Sequence, residues 1–162
     1  MKKLKLYLDT SVISHLEAPD RPDWMADTRR FWEDIQAGMY EVFISPVVTS
    51  ELANCAEPKK TVLNKWLGTV EYTMLRYNDE VEELALLYSK SGILPQKSER
   101  DRFHIAYACV YDCDIIISWN FKHLIKYRTI TDVKSVNASA GYREISIYSP
   151  TMMIEEEFND DT

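Results

Sequence analysis

The 162-residue chain is 46% hydrophobic and 28% charged with only four Gly, which excludes disorder through its body and suits a globular chain that buries about two thirds of its unfolded surface. No apolar run reaches bilayer-spanning length, and the opening MKKLKLYLDT, broken by Lys5 and ended by Asp9, lacks a signal-peptide core, so a cytoplasmic protein without a membrane partner is expected. The net charge of −7 is unevenly spread: Glu155, Glu156, Glu157, Asp160 and Asp161 supply five negative charges, so a single domain over 1–154 at −2 is expected before an acidic tail over 155–162. So neutral a body selects no partner by charge, although Lys59, Lys60, Arg100, Arg102, Lys122, Lys126 and Arg128 could gather into a basic rim for which the tail competes.

In chain order, Leu4 to Leu8 reads as a strand that stops at Asp9, and Thr10, Ser11, Val12 and Ile13 begin a helix. Asp9 suits the N-cap of that helix. After a Pro-containing turn, Trp24, Met25, Thr28, Phe31, Trp32 and Ile35 trace one helical face up to Gly38. Glu41 to Ser45 is the next strand, and Ser45-Pro46 provides a cap and a pre-set first helical residue. Glu51 falls in the second turn of that helix beside the apolar Val48 and Leu52. Pro58 opens a helix ending at Gly68, Val70 to Leu75 reads as a third strand, and Asn78 or Asp79 caps a helix whose apolar face is Val81, Leu84, Ala85, Leu87 and Tyr88.

Ser98 to Phe121 is the central stretch, a helix carrying Phe103, Ile105, Ala106, Ala108, Cys109 and Val110 that feeds into the all-apolar strand Ile115, Ile116 and Ile117. Continuous aliphatics mark a strand covered on both faces, as in a parallel sheet. Beyond Asn120 the pattern predicts a short helix over His123, Leu124 and Ile125, a loop to Gly141, a last strand from Glu144 to Tyr148 and a helix opened by Pro150. Alternating strands and helices give an α/β fold with helices on both faces of a mainly parallel sheet. Cys55, Cys109 and Cys113 form no disulfide framework, and no second Cys or His pair supports a zinc site, so free thiols are expected.

Asp9, Glu51, Asp101 and Asn120 all follow strands or begin helices, the positions that converge on one crevice in a doubly wound sheet. Each has a plainer role available: Asp9 and Asn120 as caps, Glu51 as a surface acid, Asp101 in a capping box with Ser98. Three converging carboxylates repel one another unless a cation compensates. Hard Mg²⁺ or Mn²⁺ suits oxygen ligands, acidifies bound water and neutralises phosphate charge, which favours metal-assisted phosphodiester hydrolysis. Thr10 and Ser11 either position a phosphate or cap the helix. His104, one turn after Asp101, either orients it or is a satisfied structural histidine, and Lys122 and His123 are candidate phosphate contacts.

The motifs LYLDTSVI at 6–13, SPVVTSEL at 45–52 and DRFHIAYACVYDCDIIISWNFKHL at 101–124 resemble those of PIN domains, particularly VapC-type toxin ribonucleases. The resemblance implies a three-layer α/β/α fold with a central, mainly parallel sheet of about five strands. It also implies an Mg²⁺ or Mn²⁺ site and endonucleolytic cutting of single-stranded RNA. By motif, Asp9, Glu51 and Asp101 match the three principal metal-binding acids. The fourth acid, commonly the Asp of a Thr-x-Asp motif, is here Asn120 of Ser118-Trp119-Asn120, a form that recurs in a Trp-Asn-Phe-Lys-His subset; it weakens the expectation of a second metal. A homodimer and an antitoxin partner are further implications. The alternative is a PIN-fold RNA-binding or partner-binding module without turnover.

Overall fold

The structure is a computed structural model describing residues 2–154; the expected acidic tail lies outside the described residues. In chain order the elements are β1 (Leu4–Leu8), α1 (Thr10–Ser14) with a 3₁₀ turn (His15–Glu17), α2 (Pro22–Gln36), β2 (Tyr40–Ile44), α3 (Pro46–Ala53), α4 (Lys59–Leu67) and β3 (Thr73–Met74). There follow α5 (Asp79–Lys90), α6 (Glu99–Val110), β4 (Ile115–Ile117), α7 (Tyr127–Ala140), β5 (Ser146–Tyr148) and α8 (Pro150–Ile154). Five strands pair entirely in parallel in the order β3-β2-β1-β4-β5.

The strand sequences explain the layers. Side chains alternate across a strand, so a strand buried on both faces feeds two cores. Leu6, Leu8, Ile115 and Ile117 pack with Val42, Ile44, Phe31, Trp32 and Met153 on one face. Tyr7 and Ile116 point the other way, into Val81, Leu84, Tyr88, Ile105 and Val133. The Ile-Ile-Ile run is thus a strand shared between two cores, as the sequence predicts. From central β1 the chain proceeds outward to β2 and β3, then crosses to β4 and β5 on the opposite side. The reversal puts the switch point at the carboxyl ends of β1 and β4, where open α/β sheets place their sites.

Four expectations about the elements need correction. The stretch before Gly141 is the helix α7, where a loop was expected. Its buried positions Thr129, Val133 and Asn137 keep helical spacing, but two are polar, and Thr, Ser, Asn and Val are weak helix formers. Tertiary contact overrides propensity here: Tyr88 Oη donates to Asn137 Oδ1 at 2.5 Å, and Gly141 closes the helix at φ +86°, a conformation that favours glycine. His123, Leu124 and Ile125, expected to be helical, lie in a turn and bend. Finally, β3 shrinks to Thr73–Met74, and Leu87, assigned to a buried face, is 38% exposed.

Cys109 and Cys113 are buried free thiols, and burial pushes both pKa values up, that of Cys113 to about 12. Small hydrophobes is what they are here.

Candidate active site

Asp9 leaves β1 at the crevice, its amide donating to Ile117 O of β4 at 3.2 Å. The side chain is 3% exposed and accepts on both oxygens. Ser11 Oγ donates to Oδ1 at 2.5 Å and the Val12 amide to the same oxygen at 3.3 Å, so the N-cap role is real. Ser118 Oγ, from the end of β4, donates to Oδ2 at 2.5 Å. The two serines are braced in turn, with the Trp119 amide donating to Ser11 Oγ and the Asn120 amide to Ser118 Oγ, each at 2.9 Å. Burial raises the pKa of Asp9, and the influence of His104 and the Ser11, Ser118 and Val12 hydrogen bonds offset that only in part.

Glu51 approaches from α3. Thr10 Oγ1 donates to Oε1 at 2.8 Å, and His104 Nε2 lies 2.9 Å from the same oxygen. Among the described residues, Oε2 has only a 4.0 Å approach from Arg100. Burial pushes the Glu51 pKa up, but the His104 hydrogen bond and charge, Thr10 and Arg100 outweigh it and hold the carboxyl below its usual value. A carboxylate only accepts, so His104 Nε2 carries the proton. His104 Nδ1 lies 2.6 Å from Tyr7 Oη, which lies 2.7 Å from Ser45 Oγ. A buried relay therefore runs from Ser45 through Tyr7 and His104 to Glu51.

Asp101 stands in the first turn of α6, but Ser98 makes no side-chain cap, so the expected capping box is absent. The Asp101 carboxylate instead meets His123, with Oδ2 2.9 Å from Nδ1. Asn120 Oδ1 accepts from the His123 amide at 2.9 Å, realising its capping role on a turn. Thr10, the chain neighbour of Asp9, bonds Glu51, and His123 bonds both Asp101 and Asn120. His104 serves Glu51, not Asp101. Lys122 is exposed on the same turn, whereas Arg102, assigned to a basic rim, is 4% exposed and donates to the carbonyls of Ile93, Pro95 and Gln96.

Among the described residues, no group of three or more His, Cys, Asp and Glu side chains is arranged to hold a metal ion. The donor chemistry nonetheless fits a hard cation. Asp9 is a buried carboxylate with hydroxyl and amide partners and no ion pair among the described residues, and Glu51 Oε2 has only a distant arginine.

Tyr7, Ser45 and the aromatic brace around Trp119 were not identified as site residues. Trp24 and Trp119 stack at 4.6 Å and 9°, and Trp119 Nε1 donates to Thr28 Oγ1 at 2.8 Å, fixing the Ser118-to-Asn120 corner. Tyr7 offered one signal: a phenol in an otherwise aliphatic central strand must find a partner for its hydroxyl.

The order β3-β2-β1-β4-β5, with Asp9 just past the carboxyl end of β1, defines a doubly wound α/β protein with a parallel sheet. The PIN domain model matches residues 6–123, and the chain belongs to that family, whose members are generally nucleases that use divalent metal ions. No curated protein matches the chain. Among solved structures, it is similar to a chain in the crystal structure of VapBC2 from Rickettsia felis bound to a DNA fragment from their promoter. That similarity has a TM-score of 0.58 at 12% identity, covering 90% of this chain and 98% of the other, and shows a shared fold. No helix among the described residues is long and apolar enough to cross a membrane.

Proposed function

We propose that the protein is a metal-dependent endoribonuclease of the VapC toxin type that cuts single-stranded RNA. The observation that carries this reading is the buried, hydroxyl-braced Asp9 carboxylate, tied through Thr10 to Glu51, at the switch point of a PIN fold. Asp9 and Asp101 would hold Mg²⁺ or Mn²⁺, with Glu51 completing or orienting the shell and Asn120 giving a neutral oxygen contact. When bound, the ion supplies neutralisation of phosphate charge and acidification of water.

The protein's own residues perform the rest. Ser11 and Ser118 hold both Asp9 oxygens in one orientation, and His104 fixes Glu51 by donating to Oε1. His123 fixes Asp101, leaving Lys122 exposed at the rim where a phosphate backbone would pass. A homodimer, an antitoxin partner and a cytoplasmic location belong to the same proposal. The test is cleavage of a single-stranded RNA by the purified protein in Mn²⁺, compared with Asp9→Asn and Asp101→Asn. Both variants should lose cutting while keeping the far-UV circular dichroism spectrum; equal cutting by all three would mean that a contaminant acts.

A second reading, an RNA- or partner-binding module without turnover, draws on Asn120, whose Oδ1 is engaged by the His123 amide and carries no charge. Tight RNA binding with no cleavage across a series of divalent ions would favour it.

A further inference from the structure

His123 borders two features. Besides meeting Asp101, it lines an open cavity of about 440 Å³ with Lys122, Lys126 and Arg128, three cationic side chains against one lining acid, Asp132. Arg128 lies 3.7 Å from Asp132 and is itself 83% exposed, so that pair is solvated and weak. The excess positive charge contrasts with an acidic chain and suits an anion.

The opposite wall is held in a costly shape. Leu94 sits at φ +67°, a left-handed conformation that is strained for a residue with a side chain, and Gly92 is at φ +76°. Buried Arg102 fixes this turn by donating to the carbonyls of Pro95 and Gln96 at 2.8 and 3.0 Å, and to Ile93 at 3.4 Å. Across the cavity, Thr129 Oγ1 donates to His123 O at 2.6 Å and pins the cationic turn to α7. Both walls are thus braced by specific bonds, unlike a patch of loose surface lysines.

From this arrangement we infer that the cavity seats a phosphate of a single-stranded nucleic acid, flanking the phosphate presented to the acids. This deepens the nuclease reading and rests on it for the identity of the strand. Among the described residues neither Lys126 nor Arg128 bonds Asp9, Glu51 or Asp101, so the two report on the cavity alone.

The test uses the full chain carrying Asp9→Asn, to suppress cutting, and a fluorescent single-stranded oligoribonucleotide whose anisotropy is followed across a salt series. Adding Lys126→Ala with Arg128→Ala should weaken binding about tenfold and flatten the log Kd against log salt slope by about 1.4, from two lost contacts at about 0.7 each. Lys126→Arg with Arg128→Lys should preserve both, and the melting temperatures of all variants should agree. Unchanged affinity and slope in the double alanine variant would overturn the inference. So would displacement of the RNA by micromolar inorganic phosphate, which would mark a free-phosphate site, or by micromolar polyglutamate, which would mark a site for an acidic protein segment. If wild type never cuts RNA in Mn²⁺ but the double alanine variant loses affinity as stated, the subsite stands and only the nuclease reading falls.

Discussion

His104 and Glu51, 53 residues apart on α6 and α3, are joined across the crevice by a 2.9 Å contact between Nε2 and Oε1. The same ring reaches Tyr7 in β1 through Nδ1, so one histidine ties three elements from three parts of the chain. Its side chain is only 3% exposed, which makes the connection hard for water to replace.

His104→Leu should therefore destabilise the fold by about 2–4 kcal/mol, because Glu51 and Tyr7 each lose a buried partner. The loss carries a pH signature. The Glu51 carboxyl is held below its usual value, so its contribution is present above the ordinary carboxyl range and disappears as pH falls through the folded value. Urea titrations at pH 7 and at about pH 3 should show the gap between wild type and variant narrowing at the acid end. A gap of equal size at both would mean that Glu51 draws no stability from His104.

Asp9 has the opposite sign. Its pKa is raised above the ordinary 3.8, so in metal-free buffer its favourable contribution exists below that value and is lost as pH rises through the folded value. The ionised form is a cost at neutral pH. Asp9→Asn keeps one acceptor oxygen and removes the charge, and the Ser11 and Ser118 hydroxyls can rotate to suit the amide. The variant should melt above wild type at pH 7 without metal, by about 2–4 °C for each kcal/mol relieved, with the gain fading near pH 4. Mn²⁺ should reverse the order by stabilising wild type alone. A variant that melts below wild type at pH 7 would contradict the account of Asp9 as an unbalanced buried charge.

Much of this was legible before any coordinates. The triple-Ile run and the acids after strands follow from two-sided burial and from where open α/β sheets put their sites, and both depend on local pattern. What escaped depends on residues distant in sequence. Asp101 reads locally as a capping-box acid, and only the return of residues 121–126 past α6 gives it His123 as a partner. Arg102 reads as a rim cation next to Arg100, yet the turn at 93–97 folds over it and supplies carbonyls. The helix α7 was hidden because its buried stripe includes Thr129 and Asn137, which any count of apolar residues discards.

Asn120→Asp tests the neutral member of the crevice. Asp caps as well as Asn, so the bond from the His123 amide should survive. The new charge beside the Asp101–His123 pair should lower metal-free stability at neutral pH through like-charge repulsion and raise Mn²⁺ affinity about tenfold. Calorimetric titration with Mn²⁺ measures the second effect directly. Identical Mn²⁺ affinity in the two proteins would exclude residue 120 from any ion's surroundings.

Arg102 offers a test of how the crevice is supported from behind. Its guanidinium is met by three carbonyls, and no carboxylate ion pair with it occurs among the described residues, so its charge is solvated by the turn it holds. Arg102→Met retains much of the buried stem but removes the side-chain donor shared by the carbonyls of Ile93, Pro95 and Gln96, of which Pro95 O keeps the Ser98 amide, at a cost of about 1–3 kcal/mol. Because Leu94 holds its left-handed conformation only while its surroundings enforce it, the released turn should relax before the sheet does. Hydrogen exchange should accordingly quicken at the Ile93 amide, which bonds Tyr88 O, and the Ser98 amide, which bonds Pro95 O. Exchange in β1 should change no more than global stability requires. Uniform acceleration through turn and sheet alike would show that Arg102 supports the whole core and not this turn in particular.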